Sequence, residues 1–304
     1  MFTSKTQDGY PINIPKSFNG YDVLKYLGCG STCAVILVED EKTKQKYSAK
    51  VMSKKDIEAR NLVESTMLEI KVLKELDHPH IIKVYDSFEI KSANDEYYVI
   101  IMEYCENGDL LSYATSSGFK SEKQKKKIIY EFLEAIKYLH KKGISHGDIK
   151  SENVLLDSKF SPKLCDFGFC RTKKVAGDEA KKGTFYYAAP ELFVRGEFDT
   201  IKTDIWAIGI TLYSLFELQF PFKDGNQNFI IKQILSGRLS ISKSLDFKVR
   251  QIVQDCTQMT AASRPTIDDI MSSDYFRDVQ FDSKLNQHFS PKQSVIEWKP
   301  KCNF

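Results

Sequence analysis

Residues 144–168 read ISHGDIKSENVLLDSKFSPKLCDFG, and this stretch decides how the rest of the chain is interpreted. Three polar side chains, Asp148, Asn153 and Asp166, stand among apolar runs that are typical of short strands. Asp and Asn also punctuate ordinary turns, so each residue alone is a weak signal. Together they offer a carboxylate that can orient an attacking hydroxyl and the hard oxygen ligands that magnesium prefers. With the cation of Lys150, the stretch contains the groups that phosphoryl transfer from a nucleoside triphosphate requires.

A glycine-bearing turn between two predicted strands comes earlier in the chain. Residues 23–40, VLKYLGCGSTCAVILVED, read as strand, turn and strand. Gly28 and Gly30 allow main-chain amides to approach phosphate oxygens without a Cβ in the way. A glycine hairpin is common, so this turn alone is weak evidence for phosphate binding. Its position before the strand YSAKVM strengthens that interpretation.

A lysine in that next strand predicts a buried charge pair. Lys50 has apolar neighbours in the sequence, and if its strand packs inward its ammonium needs a partner. An exposed strand lysine is the alternative. The segment that follows predicts a helix, because apolar residues recur every three or four positions. Glu69 borders this stripe and is the favoured partner, with Glu64 as the competing candidate. The stripe consists of Val63, Met67, Ile70, Leu73 and Leu76.

The order and spacing of these motifs resemble the eukaryotic protein kinase family. D-x-K-x-x-N is followed by DFG, and G-x-G and A-x-K precede them. GTFYYAAPE at 183–191, DIWAIG at 204–209 and SRPT at 263–266 resemble later motifs of the same family. Lys150 and the Gly-Thr pair that opens GTFYYAAPE resemble the serine/threonine branch. The general look is closest to the calcium/calmodulin-dependent-type kinases, and the resemblance covers about residues 20–276.

The resemblance implies an α+β, bilobal protein kinase fold with a small, mostly β N-lobe that has one helix and a large, mostly α C-lobe. A flexible segment is expected at 1–18. The N-lobe would cover 19–104, the C-lobe 105–276, and a short tail 277–304.

The resemblance also assigns roles to individual residues. Asp148, Lys150 and Asn153 would be catalytic, and Asn153 and Asp166 would hold Mg²⁺. Lys50, fixed by Glu69, would grip the α and β phosphates of ATP. The nucleotide site is expected to comprise Leu27, Gly28, Gly30, Val35, Ser48, Lys50, Glu69, Met102, Glu103, Cys105, Asp109, Leu155 and Asp166.

Within that site, Met102 would be the gatekeeper, and the main chain of Glu103 to Cys105 would bind adenine. Asp109 would reach the ribose or a basic substrate side chain. Together with Glu152, it stands where basophilic members of the family carry acids that bind an upstream arginine. Ser214 occupies the place of a third such acid. The expected partners are therefore proteins with Ser or Thr acceptors, with upstream basic residues favoured by these two acids.

The second lobe is expected to begin with a helix. Ser121 and Gln124 predict a capping box at its start, and Lys141, Lys142 and Gly143 predict its end. Its buried face would consist of Ile128, Ile129, Phe132, Leu133, Ile136 and Leu139. By resemblance, Asp204 would anchor the backbone of the catalytic loop, and Arg264 would pair with Glu191.

Two positions depart from the family pattern. Cys33 stands where the third glycine of the lid is expected, and Gly147 replaces the usual arginine before the catalytic aspartate. That arginine normally contacts a phosphorylated activation loop, so catalysis here is expected not to depend on such a phosphate. Between Gly168 and Gly183 the only hydroxyl is that of Thr172. The alternatives are a pseudokinase scaffold that binds nucleotide without transfer and a small-molecule kinase.

The composition is that of an ordinary globular protein. Of 304 residues, 42% are hydrophobic and 28% charged, and the net charge of +3 favours neither a nucleic-acid nor a membrane partner. The seven cysteines lack zinc-like spacing and are expected to be reduced. Those at 29, 33, 105 and 165 would lie near the nucleotide, so alkylation at 33 and 105 is expected to inactivate. No signal peptide is predicted, and we expect a monomer in the cytoplasm, with the nucleus as a second compartment.

Overall fold

Strands that pair antiparallel account for most of the first hundred residues. The computed structural model describes residues 1–92, 95–172, 175–176, 184–223 and 225–279. The strands, in chain order, are β1 Phe2–Lys5, β2 Pro11–Ile14, β3 Ser17–Phe18, β4 Tyr21–Cys29, β5 Cys33–Asp40, β6 Lys46–Ser53, β7 Val84–Ser92, β8 Asp95–Glu103, β9 Ile144–Ser145, β10 Val154–Leu156, β11 Pro162–Leu164, β12 Arg171–Thr172, β13 Val175–Ala176 and β14 Glu197–Phe198.

Helices dominate the later part of the described chain. The α-helices are α1 Lys54–Ala59, α2 Val63–Glu75, α3 Leu110–Ser116, α4 Glu122–Lys141, α5 Thr200–Glu217, α6 Gln227–Leu235, α7 Phe247–Cys256 and α8 Ile267–Met271. Short 3₁₀ turns lie at Ser151–Asn153, Phe185–Tyr187, Pro190–Phe193 and Ala261–Ser263.

The described chain forms two compact units. The first consists of Met1–Gly118 and Lys150–Cys170, and the second begins at Phe119, continues to Ile149 and resumes at Arg171. The first unit is built on a sheet and the second is largely helical, which confirms the expected α+β class. The units divide the chain differently from the predicted lobes 19–104 and 105–276, because residues 105–118 and 150–170 pack with the first unit.

The first unit is organised around a six-stranded sheet in the order β3-β4-β5-β6-β8-β7. Along β5 every second side chain is buried on one face, as the two-residue period of a strand requires. Neighbouring strands supply the same face, and the resulting core is apolar. Its sheet residues include Ala34, Ile36, Val38, Ala49, Val51, Val99 and Ile101.

The N-terminal residues extend this core, so the prediction of a flexible segment at 1–18 is wrong. β1 and β2 form a hairpin, and Ile12 and Ile14 of β2 are fully buried in the sheet core. The Asn13 amide donates to the Tyr97 hydroxyl at 3.1 Å. A sequence signal was present: an Asp-Gly pair precedes the alternating PINI, which is typical of a hairpin.

Helix α2 buries only part of the apolar stripe that its sequence predicts, because Leu73 is buried but Ile70 and Leu76 are only half-buried. Val63 is 37% exposed and Met67 is 38% exposed, whereas Thr66, Glu69 and Leu73 are buried. The helix therefore turns a mixed face inward. This orientation has a physical reason, because Glu69 forms an ion pair with a buried lysine.

The second unit contains the helices whose sequence patterns are clearest. The predicted buried face of α4 is confirmed at each of its six positions. The hydroxyl of Ser121 accepts from the Gln124 amide at 3.1 Å. The Gln124 side chain instead accepts from the amide of Lys120 at 2.7 Å, so the predicted capping box forms only half.

Helix α5 is nearly enclosed, as its apolar run predicts. Its residues from Thr203 to Leu215 are buried without a break, which suits a helix that is apolar all round. Among the described residues, no helix has the length and apolar character needed to cross a membrane.

The buried hairpin generates a test of the N-terminal correction. Replacing Ile12 with alanine should lower the free energy of unfolding by about 2–5 kcal/mol, because the methyl groups removed leave a cavity in the core. The exposed Thr3→Ala change on the same hairpin should cost less than about 1 kcal/mol. Urea denaturation followed by circular dichroism measures both. Equal, small effects would mean that residues 1–18 do not pack.

Candidate active site

A buried ammonium between two carboxylates forms the centre of the first unit's site. Lys50 Nζ lies 2.6 Å from Glu69 Oε1 and 3.2 Å from Asp166 Oδ1. The side chains of Lys50 and Glu69 are 11% and 5% exposed, whereas that of Asp166 is 41% exposed. The predicted ion pair with Glu69 is confirmed. Glu69 is thus an internal partner, and Asp166 keeps a surface open to a ligand.

The electrostatics of the cluster keep Lys50 charged. Burial alone would lower the pKa of Lys50, but the carboxylates of Asp166 and Glu69 outweigh burial and raise the pKa well above its usual value. A permanently charged ammonium is what a group that binds phosphate oxygens requires.

Strand pairing places Lys50 in the sheet. On β6 it lies opposite Val35 of β5 on one side and Ile100 of β8 on the other. Val35 in turn pairs with Gly28 of β4. The register therefore brings the lysine, the predicted lid glycine and Val35 to neighbouring positions along adjacent strands.

A second hairpin brings the two predicted magnesium ligands to one end. Strands β10 and β11 pair antiparallel, with Val154 opposite Leu164. Asn153 precedes β10 and Asp166 follows β11 by two residues, and the Cys165 amide donates to the Asn153 carbonyl at 2.9 Å. An amide oxygen and a carboxylate at the same hairpin end are a donor pair that fits magnesium.

The backbone at the aspartate is constrained. Asp166 has φ +62°, in the left-handed region that non-glycine residues visit at some energetic cost. A Cβ on Gly168 would lie 3.5 Å from Glu69 Oε2 and 3.6 Å from Asp166 Oδ1, which shows how closely the DFG turn approaches the carboxylates. Among the described residues, no group of three or more His, Cys, Asp or Glu side chains converges as a potential metal site.

The glycine lid is the turn between β4 and β5. The Gly30 amide donates to the Cys33 carbonyl at 3.0 Å. A Cβ on Gly30 would lie 3.1 Å from Cys33 Sγ, so the bare position accommodates the cysteine that replaces the family's third glycine. Cys33 is buried. The departure therefore packs into the unit rather than onto the lid surface.

The predicted adenine-binding segment continues from β8. The Ser48 hydroxyl donates to the main-chain oxygen of Glu103 at 2.9 Å, and the Glu103 amide donates to the Lys83 carbonyl at 2.9 Å. The Glu103 carboxylate accepts from the Lys83 amide and pairs with Lys163 Nζ. Met102 and Cys105 are buried. The Glu103 amide is thus occupied. Its carbonyl already accepts from Ser48 but has a second lone pair, so this oxygen and the main chain of Cys105 are the candidate adenine contacts.

The remaining predicted pocket residues differ in exposure. Leu27 on β4 is 37% exposed, and Leu155 on β10 is half-buried and bridges to Asp109. The Asp109 carboxylate caps α3: one oxygen accepts from the Ser112 amide at 2.8 Å and the other from its hydroxyl at 2.6 Å. The structure thus gives Asp109 a local role that sequence reasoning missed, although an Asp directly before a helical segment is a capping signal.

Lys150 and Glu152 lie at the 3₁₀ turn before β10. Both are half-buried. The Lys150 carbonyl accepts from the Asn153 amide at 3.1 Å, which fixes the turn that positions the predicted metal ligand. The Ser151 hydroxyl donates to the Glu152 carboxylate at 3.2 Å.

Asp148 belongs to the second unit and is held by main-chain donors. It is 5% exposed. Its Oδ1 accepts from the Thr184 amide at 3.2 Å, and its own amide donates to His146 Nδ1 at 3.3 Å. Sequence reasoning singled out Thr184 for docking but missed this bond to the carboxylate. A cavity of about 450 Å³ beside it is lined by Asp148, Thr184, Phe185, Leu192, Phe193 and Ile231, among others.

Asp204 anchors the catalytic loop as predicted. Its carboxylate accepts from the amides of His146 at 2.8 Å and Gly147 at 3.0 Å. His140 Nε2 lies 3.0 Å from the same carboxylate, a contact that the sequence did not reveal. Three groups therefore converge on one buried aspartate and fix the backbone that leads into Asp148.

The predicted pair behind the docking segment is also confirmed. Arg264 makes a two-pronged bond to Glu191, at 2.6 Å from Nη1 and 2.7 Å from Nη2. The Arg264 side chain is fully buried and lies over the Trp206 ring. The described residues do not include Gly183 of the same segment, most of the loop at 169–182 or the tail at 280–304.

The thiols near the site are poor nucleophiles. Burial raises the pKa of Cys33 to about 11 and that of Cys105 to about 12. At neutral pH both are therefore protonated, and the thiolate is the reactive form. This argues against the expected alkylation at 33 and 105, whereas Cys29 is exposed.

Comparison with known proteins agrees with this geometry. Residues 21–276 match the family described as protein kinase domain. The chain is 32% identical over 269 residues to the carbon catabolite-derepressing protein kinase of Secale cereale, covering 86% of this chain and 52% of the relative. It is 33% identical over 272 residues to the serine/threonine-protein kinase SIK2 of Gallus gallus, covering 89% and 33%.

A third relative is the calcium-dependent protein kinase 4 of Plasmodium falciparum, 32% identical over 278 residues, which cover 88% of this chain and 51% of the relative. The chain thus spans about a third to about a half of the length of these relatives. Because the family match extends over most of its length and the motif residues adopt the geometry described above, the chain belongs to the protein kinase domain family.

Proposed function

We propose that the protein transfers the γ-phosphate of ATP to Ser or Thr hydroxyls of protein substrates. The observation that carries the proposal is the buried Lys50, charged and in contact with both Glu69 and Asp166. A structural lysine needs only one carboxylate. The second, 41% exposed carboxylate adds negative charge that serves a purpose when a cation and phosphates are present.

The residues present fit ATP and Mg²⁺. Lys50 would hold the α and β phosphates, with Glu69 fixing its position, and the backbone of the glycine lid from Gly28 to Gly30 would cover the phosphates. Asn153 and Asp166 would hold the metal, which when bound neutralises charge on the phosphates. Each of these groups acts by electrostatics and positioning.

Asp148 is the residue proposed to act on the substrate hydroxyl that accepts the phosphate. Its carboxylate is oriented by the Thr184 amide, and its backbone follows the loop that Asp204 anchors. We infer that it accepts the proton of the substrate hydroxyl and orients that oxygen. Lys150 would place a cation beside the transferred group.

Transfer is tested with purified protein, Mg²⁺-ATP and a set of Ser and Thr peptides. Asp166→Ala and Asp148→Asn should each lower turnover at least about a hundredfold, because each removes charge that acts on the transition state. Asp278→Asn is the matched control, since that carboxylate is 77% exposed and lies 3.9 Å from Lys126 Nζ. Mg²⁺-ATP binding with no transfer by the unaltered protein would establish the pseudokinase alternative instead.

A preference for basic substrates is proposed from two acids. Asp109 and Glu152 both belong to the first unit and are half-buried. Because both oxygens of Asp109 already accept from Ser112, Glu152 is expected to contribute more of the attraction for an arginine. Peptides with an arginine upstream of the acceptor should react faster than matched peptides with alanine, and Glu152→Gln should reduce the difference. Equal rates for the paired peptides would refute the preference.

We also propose that catalysis does not depend on a phosphate in the activation loop. Gly147 has φ +80°, in the left-handed region, so a side chain at this position would be strained. The loop backbone is instead fixed by the Gly147 amide donating to Asp204. The anchor therefore needs no arginine and no phosphate.

Phosphatase treatment of the purified kinase tests this proposal. Activity should change by less than about twofold, and Thr172→Ala should behave like the unaltered protein. A tenfold loss in both experiments, which corresponds to about 1.4 kcal/mol of barrier, would show that a phosphate switch exists.

A further inference from the structure

The turn that joins β1 to β2 is a closed loop of hydrogen bonds. We call residues Thr6 to Tyr10 the N-terminal turn. The Gly9 amide donates to the Thr6 carbonyl at 3.0 Å, and the Thr6 amide donates to the Tyr10 carbonyl at 2.9 Å. The Tyr10 amide donates to the Thr6 hydroxyl at 3.0 Å. Gly9 has φ +86°. Residue 7 is thus the second residue of a β-turn, and its amide is free of the turn's own bonds.

That amide is used on the glycine lid. The Gln7 N–H donates to the Gly30 carbonyl at 2.8 Å. Gly30 also donates its own amide to Cys33, so both main-chain groups of this lid glycine are engaged. Glycine-rich backbone has many accessible conformations, and a bond from outside the turn restricts them.

The same turn forms an ion pair with the residue that follows α1. Asp8 Oδ2 lies 2.6 Å from Arg60 Nη1, and Arg60 Nε bonds Asp56 Oδ1 at 2.8 Å. Arg60 is the C-cap residue that directly follows α1, three positions before α2 begins. Helix α2 carries Glu69. The N-terminal turn therefore contacts the glycine lid and also Arg60, which lies between α1 and the helix that carries Glu69.

The turn is itself anchored to the core. Thr6 is 1% exposed. The Tyr10 hydroxyl donates to Asp95 Oδ2 at 3.3 Å, and the same carboxylate oxygen accepts from Ser53 at 2.6 Å. Ile12 and Ile14 of the same hairpin are buried in the sheet core. The turn is therefore attached to a rigid part of the first unit.

We propose that the N-terminal turn is a positioning clamp for the phosphate lid, with the main chain of residue 7 holding Gly30 and Asp8 tying the turn to Arg60. The family match begins at residue 21, so these residues lie before it. The inference rests on the proposed function, because it assumes that the lid binds the phosphates of ATP. By fixing the lid before nucleotide arrives, the clamp lowers the entropy lost on binding.

One substitution removes the contact with little other change. Proline suits the second position of a β-turn, so Gln7→Pro keeps the turn. It removes the residue 7 N–H that donates to the Gly30 carbonyl. Gln7→Ala is the matched control, because it changes the side chain and keeps the N–H. Gln7→Pro should weaken Mg²⁺-ATP binding about threefold to tenfold, the worth of one hydrogen bond. The KM for peptide and the melting temperature should stay unchanged, and Gln7→Ala should match the unaltered protein.

Amide hydrogen exchange in nucleotide-free protein gives a readout independent of activity. Exchange at residues 28–33 should be faster in Gln7→Pro than in Gln7→Ala. If the proline variant loses its fold, Asp8→Ala replaces it, and unchanged lid exchange in that variant would overturn the clamp. Equal ATP affinity and equal lid exchange in the two residue 7 variants would also overturn it. If the unaltered protein neither binds Mg²⁺-ATP nor transfers phosphate, the proposed function fails, and lid exchange still decides whether the clamp exists.

Discussion

The charge of Lys50 is the constraint on which the first unit depends. An ammonium on a buried strand would lose its proton or destabilise the fold without a partner, because desolvation penalises the charged form. Glu69 satisfies it at 2.6 Å from inside the unit. The orientation of α2 follows, since the helix must turn its glutamate inward even though this leaves Val63 and Met67 at the surface.

The same charge explains why Asp166 stands where it does. Its backbone adopts a strained left-handed conformation, and the contact with Lys50 compensates part of that cost. The β10–β11 hairpin delivers Asn153 to the same end. A site with a surplus carboxylate is incomplete without a further cation, and this is the physical sense in which the first unit is built to receive a metal and phosphates. In the second unit, two buried side chains fix loops. Asp204 accepts from main-chain amides of the loop before Asp148, and Arg264 donates to the carboxylate of Glu191.

Much of this could be predicted from the sequence, for reasons that differ between residues. The need of Lys50 for a partner could be predicted because a charge in apolar surroundings must be compensated. The partner Glu69 and the roles of Asp204 and Arg264 came from the resemblance to the family motifs. The face of α4 followed from periodicity alone. The stripe of α2 is only partly buried, with Leu73 inside and Val63 and Met67 at the surface. Periodicity identifies the apolar residues but takes no account of a charge pair that rotates the helix. The N-terminal hairpin was missed because two short strands are stable only against a sheet that lies elsewhere in the sequence. The bond from Thr184 to Asp148 depends on loop geometry that no spacing encodes, whereas the position of Asp109 before a helix is a capping signal that sequence reasoning overlooked.

A double-mutant cycle tests whether Lys50 and Glu69 act as one unit in binding ATP. Mg²⁺-ATP affinity is measured for the unaltered protein, Lys50→Met, Glu69→Gln and the double variant, with melting temperatures as a check on folding. We expect that Glu69→Gln weakens binding when Lys50 is present and has almost no further effect once Lys50 has been replaced. Additive losses in the two single variants would contradict it, because Glu69 would then contribute to ATP binding by a route that does not involve the lysine.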